Sequence, residues 1–393
     1  MCKEQQETPT PGVELADVFR LHAAAYSRTH TLTPEQHKVV HAIVNCRTSV
    51  LGGHVEQCQQ CNAIQYAYHS CRNRHCPKCE SFKAVQWLQE RQTELLPVPY
   101  FHVVFTLPHE LNTLVLYNKP TLYQVLFESA WAALNTLGRD KKRLGGQMGM
   151  LAILHTWGQN VSSHNHVHCI VPGGALTLNA QWKPSKNYLF PVKVLSKLLR
   201  GIYVSKLRAL YQQNQLKWPD SLPAEKFDQL LNQLMKQNWV VYAKPPFADP
   251  RTLLNYLGRY THKIAISNHR ILAVNQESVT FKWRDYADGN KEKIMVLKPE
   301  EFIRRFLSHV VPKGFMRIRF FGFLANACRA KKIKTIQNQL KYRRSPKEKK
   351  DTATLMLELT GTDITLCPYC GLGKLQRMGI IPSKFGRTLF DTS

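Results

Sequence analysis

The sequence predicts an α+β protein, a mixed sheet flanked by helices with a small cysteine-rich module ahead of it. Three observations carry that prediction. Apolar segments of strand character (YFHVVFTL from 100, MGMLAILHTW, HVHCIVPGG) alternate with stretches of helical spacing near 119–137 and over 191–240. The short polar connector GQNVSSHN between two of the strands suits a hairpin. Finally, cysteines crowd between Cys46 and Cys79.

At the N-terminus, LTPEQHKVVHAIVNC reads as a helix with Thr33 as N-cap, Pro34 in the first helical position and Gln36 closing a capping box. SFKAVQWLQERQTELL (81–96) reads as an amphipathic helix stopped by PVP. PVKVLSKLLRGIYVSKLRALYQQNQ and EKFDQLLNQLMKQNW form a helical insert over about 191–245. A helix over about 250–263 follows, with Asp249 as N-cap and Pro250 in its first position. After it come the β-like pieces IAIS, HRILAV, VTFKW and KIMVL, with DYADGN as a turn. The expected organisation is 1–98 as N-terminal helix and cysteine module, 99–310 as the main domain with its insert, and 311–393 as a basic C-terminal region and tail.

Fifty-four Lys and Arg against 27 Asp and Glu leave a net charge of +27 in 393 residues, a surplus that points to a polyanionic partner. Nine of the twenty residues in 331–350 are basic and only Glu348 is acidic. Nucleic acid is the partner this implies. No apolar run is long enough to span a bilayer and no signal peptide is evident, so a cytoplasmic, nucleoid-associated protein is expected.

Eleven cysteines that cluster argue for metal rather than disulfides in that compartment. Cys58-x-x-Cys61 and Cys76-x-x-Cys79 are fourteen residues apart, which suits one closed tetrahedral Zn²⁺. Cys46, His54, Cys71 and His75 lie in the same block and could supply a second ion. Cys367-x-x-Cys370 is half a site, expected to be a turn unless the tail folds back on another element.

On a strand, residues i and i+2 share a face about 6.6 Å apart, so His166 and His168 can converge on one divalent ion. His164 has the same parity but lies about 13 Å from His168, which leaves the third ligand open between His164, Gln159 and a residue of another element. Tyr256 and Tyr260 are one helical turn apart, with Arg259 and Lys263 beside them. A phenol beside cations, facing a phosphate held by a metal, can attack phosphorus.

Taken together, HVHCIVPGG resembles the His-hydrophobic-His (HUH) motif of rolling-circle nucleases, and YLGRY resembles the paired tyrosines of two-tyrosine insertion-sequence transposases. CRTSVLGGH…CRNRHCPKC is similar to that family's N-terminal zinc-binding domain, while FTLPHELN, LHTWGQN, RYTHKIAISNHRI and PKGFMRIRFFGFLAN follow in the family's order. The resemblance covers about residues 30–330. It departs at Met316 and Phe320, where many relatives carry histidine, and in the small number of tail cysteines.

The resemblance implies an HUH nuclease fold, a central antiparallel sheet with flanking helices and the histidine strand in its centre, Mg²⁺ or Mn²⁺ at the histidines, and structural Zn²⁺, one ion or two. It implies a transposase that nicks single-stranded DNA and transfers strands through 5′-phosphotyrosine links at Tyr256 and Tyr260, with Arg259 and Lys263 supporting the transition state. Self-association and host replication or helicase factors are further expectations. A plasmid replication initiator or relaxase with the same chemistry, or a non-catalytic zinc DNA-binding protein, are the rival readings.

Overall fold

The computed structural model describes residues 12–79, 87, 90–91, 94–186, 189–244, 247, 252, 264–342 and 351–384. Tyr256, Arg259, Tyr260 and Lys263, the helix expected around them, most of the helix expected over 81–96, and the basic residues 343–350 lie outside the described residues.

Helices α1 (Leu15–Thr29) and α2 (Pro34–Asn45) open the chain. The local signals for α2 act as their chemistry requires. The Thr33 hydroxyl accepts from the Gln36 amide and the Gln36 side chain accepts from the Thr33 amide, which satisfies two otherwise orphaned donors and is worth about 1 kcal/mol. Strands β1 (Gly53–Cys58) and β2 (Ile64–Tyr68) form an antiparallel hairpin, and β3 (Tyr100–Thr106) begins the main sheet.

Helices α3 (Asn112–Tyr117) and α4 (Lys119–Arg139) lead to the long hairpin of β4 (Gly149–Trp157) and β5 (Ser163–Pro172). A small ribbon, β6 (Gly174–Leu176) and β7 (Trp182–Pro184), precedes the helical insert α5 (Val192–Gln212) and α6 (Phe227–Lys236). Strand β8 (Val241–Ala243) returns the chain to the edge of β3. Beyond residue 263 come β9 (Ile271–Val274), β10 (Val279–Asp285), β11 (Lys291–Leu297), α7 (Pro299–Ser308), β12 (Ile318–Gly322), α8 (Arg329–Gln339), α9 (Thr352–Thr360) and β13 (Leu375–Ile381).

The main sheet is antiparallel throughout, in the order β12-β4-β5-β3-β8. This is the expected α+β architecture, with the histidine strand β5 in the middle. Because side chains alternate across a strand, each face has its own partners. Phe101, Val103, Phe105, Ala152, Leu154, Val167 and Cys169 pack with residues of α4 and α5 into the largest apolar cluster. The opposite face carries Tyr100, Leu151, Ile153 and Ile170, covered at one end by Phe323 and by Ile333 and Ile336 of α8. His166 and His168 occupy this second face further along.

Two strands beyond residue 311 enter different sheets. Strand β12 joins the main sheet beside β4, whereas β13 pairs antiparallel with β1 and completes a three-stranded sheet β13-β1-β2. A third sheet, β11-β10-β9, packs with α1 and α7 through Phe19, Phe281, Phe302 and Phe306.

Candidate metal centres and functional site

Four cysteines meet at the end of α2: Cys46, Cys71, Cys76 and Cys79, all buried. Cys46 and Cys71 sulfurs lie 3.5 and 3.6 Å from that of Cys79. Four sulfurs held about 2.3 Å from one Zn²⁺ stand about 3.8 Å apart, so the donor set suits that ion, and the gaps are far too long for disulfides. Hydrogen bonds with Cys46 draw the Cys79 thiol well down and drive Cys71 and Cys76 up. Four thiols compete for protons in a space that a divalent cation would relieve.

A second set joins Cys58 and Cys61 to Cys367 and Cys370, with sulfur separations of 3.7 Å for both Cys58–Cys370 and Cys61–Cys367. The amides of Gln60 and Cys61 point at the Cys58 sulfur and that of Gly373 at Cys370. The Gly373 and Leu372 amides hold the Cys370 thiol down to about 6. A side chain at Gly373 would put its Cβ 2.4 Å from the Cys58 sulfur, so only glycine lets the two turns meet.

The predicted pairing of Cys58 and Cys61 with Cys76 and Cys79 is therefore corrected. The hairpin β1–β2 lies between them and sets Cys58 roughly 17 Å along the strands from the end that leads into Cys71. Each Cys-x-x-Cys takes its partners elsewhere, and the tail pair, expected to be a turn, folds back as a knuckle. His54 and His75 join neither set: His54 pairs with Glu56 at 2.9 Å, and buried His75 is held well below its ordinary pKa by burial, with Arg317 and Arg74 adding to the effect.

In the main sheet, ligand nitrogens of His155, His166 and His168 lie within 4.8 Å of one another, and all three residues are buried. His155 is the cross-strand partner of His166, and His168 sits one pleat further on. Nδ1 of His166 donates to the His164 carbonyl at 2.8 Å, which leaves its Nε2 lone pair for a cation. That Nε2 lies 3.1 Å from Nε2 of His168. Behind it, Nδ1 of His168 meets Nε2 of His102 at 2.9 Å, and burial, with nearby Lys244 adding to it, lowers the His102 pKa to about 4. A neutral His102 orients His168 as outer partners commonly orient metal-binding imidazoles. Among the described residues no carboxylate joins this trio.

The two sequence candidates for the third position stand outside the trio. His164 is exposed, with its ring 4.7 Å from that of His166, and the Gln159 side-chain amide donates to the Tyr286 hydroxyl at 2.8 Å. His155, His102, Cys367 and Cys370 are the residues that sequence reasoning did not assign. For His155 the signal was present in the near-symmetric hairpin, whose short turn places 155 opposite 166.

Residues 18–107 match the transposase zinc-binding domain family, and residues 149–332 match the family described as "Putative transposase". The chain is 43% identical to "Putative transposase y4qJ" of Sinorhizobium fredii over 97% of its own length and 99% of that protein. It is 29% identical to the "Transposase for insertion sequence element IS801" of Pseudomonas savastanoi pv. phaseolicola, over 85% of this chain and 81% of that one. The chain belongs to the insertion-sequence transposase family with an N-terminal zinc-binding domain, as its paired tyrosine and histidine motifs indicated.

Proposed function

We propose that this transposase nicks single-stranded DNA and transfers the cut end in a rolling-circle mode, with Tyr256 and Tyr260 as nucleophiles and a divalent ion held by His155, His166 and His168. The observation that carries the reading is the trio itself. Three imidazoles on one face of a central sheet, with one lone pair freed by a carbonyl contact, form a three-ligand set that leaves coordination positions for substrate. An all-imidazole set suits Mn²⁺ better than Mg²⁺. The bound ion would polarise the scissile phosphate.

The chain's own residues do the rest. A tyrosine oxygen attacks phosphorus, the phenolic proton leaves, and the bond from phosphorus to the 3′ oxygen breaks, giving a 5′-phosphotyrosine and a free 3′-hydroxyl. The second tyrosine, one helical turn away by sequence, repeats the step on the other end. Arg259 and Lys263 neutralise the developing charge. Just beyond the tyrosine segment in the chain, Ala265 and Ile266 belong to the apolar cluster that holds Trp157, whose ring stacks 4.9 Å from His155. DNA is the partner, consistent with the charge of +27.

The test incubates the protein with labelled single-stranded DNA from an element's ends and Mn²⁺ or Mg²⁺, followed by a denaturing gel. Wild type should form a covalent adduct, and Tyr256→Phe with Tyr260→Phe should not. An adduct that survives the double substitution, or none from wild type on cognate ends, overturns the mechanism in favour of a non-catalytic DNA-binding role.

A further inference from the structure

The three-stranded sheet that the tail completes has one face with no use in the chemistry above. Strand β2 is an edge strand, and Ile64, Tyr66 and Tyr68 project from the same side of it. They are 54%, 62% and 36% exposed. The two phenol rings are nearly parallel, 10° apart, with centroids 6.4 Å from one another, close to two nucleotide steps of about 3.4 Å in a stacked strand. Exposed aromatics on an edge strand invite aggregation unless something covers them, so a patch of this kind marks a binding surface.

Charge identifies what covers it. Residues 46–79 and 364–384, which build the sheet and both cysteine sets, contain seven Lys and Arg and one acid, Glu56. That carboxylate is turned away: Glu56 pairs across the strands with Gln65, whose side chain donates to it, so it lies on the face opposite Tyr66. Arg47 and Arg72 are exposed near the end of β2, and the Arg47 amide donates to the carbonyl of His69. Parallel aromatic faces within a basic, nearly acid-free module match unpaired bases on a phosphate chain. They do not match a duplex, whose bases are already stacked.

We propose that Tyr66 and Tyr68 form a stacking surface for the bases of single-stranded DNA, built on the sheet that β13 and the second cysteine set complete. The proposal rests on the single-stranded substrate of the preceding reading and assigns this face to holding the strand away from the histidine site.

Fluorescence anisotropy of the full chain with a labelled single-stranded oligonucleotide, and with the same sequence as a duplex, tests it. Tyr66→Ala with Tyr68→Ala should weaken single-strand binding by about 10- to 100-fold and leave duplex affinity and the salt slope unchanged. Tyr66→Phe with Tyr68→Phe should bind as wild type does, because stacking needs the ring and not the hydroxyl. Zinc content equal to wild type establishes that the module is folded in each variant. Unchanged single-strand affinity in the alanine pair overturns the proposal, as does equal loss on duplex. Loss of self-association alone, seen by sedimentation, would assign the face to a second copy of the chain. If wild type forms no covalent adduct while the alanine pair still lowers single-strand affinity, the nicking reading falls and the stacking surface stands. The converse pattern sinks only the stacking surface.

Discussion

His155 on β4 stands directly across from His166 on β5, so the trio takes its third imidazole from the neighbouring strand. His164, on the same strand as the pair, is exposed and lends its carbonyl to orient His166. The two positions therefore make opposite predictions. His155→Ala should lower Mn²⁺ affinity by at least about 10-fold, since even outer partners of a metal ligand cost that much. His164→Ala keeps the backbone carbonyl and should stay within about twofold. Calorimetric Mn²⁺ titration of both variants decides it, and equal losses would return His164 to the ligand set.

The cysteine sets predict a two-ion protein whose tail is tethered by metal. Cys370→Ser should reduce the zinc count by one in native mass spectrometry and speed hydrogen exchange in both β13 and β1, which pair along their length. Cys46→Ser acts elsewhere, because Cys46 is fully buried in the apolar cluster with Val18, Phe19 and Ile43, and should destabilise α1 and α2 as well. Retention of both ions by Cys370→Ser would dissolve the second site.

What was legible in the sequence follows the range of the interactions. Helix α2 was legible to its caps because Thr33, Pro34 and Gln36 act within one turn. His166 and His168 were legible because strand parity needs only two positions. His155 required the register across a turn, which the sequence suggests but does not state. The cysteine partners were least legible, because spacing defines a knuckle without saying which other knuckle it faces. Cys58 and Cys370 meet across 312 residues, brought together only when β13 folds onto β1. Phe320, where the resemblance leads to the expectation of histidine, is a packing residue in the structure: it lies opposite Leu151, with the Arg329 guanidinium 4.6 Å from its ring centre.

A buried histidine outside the trio predicts the acid sensitivity of the fold. His309 is 3% exposed, its Nε2–H donates to the Val161 carbonyl at 2.9 Å, and its Nδ1 accepts from the Thr156 hydroxyl at 3.2 Å. Both nitrogens are used by the neutral ring, and burial lowers its pKa to about 4. In the unfolded chain the ring titrates near 6.5. Above that pH neither state binds the proton and His309 costs nothing. Between 6.5 and 4 the unfolded state binds it and the folded state does not, so stability falls as the pH drops through this window. The full loss is on the order of 3 kcal/mol, reached near pH 4. Thermal unfolding of wild type should therefore shift downward between pH 7 and pH 5, and His309→Gln, which cannot take up the proton, should shift less over the same interval. Parallel pH profiles for the two proteins would remove His309 as the cause.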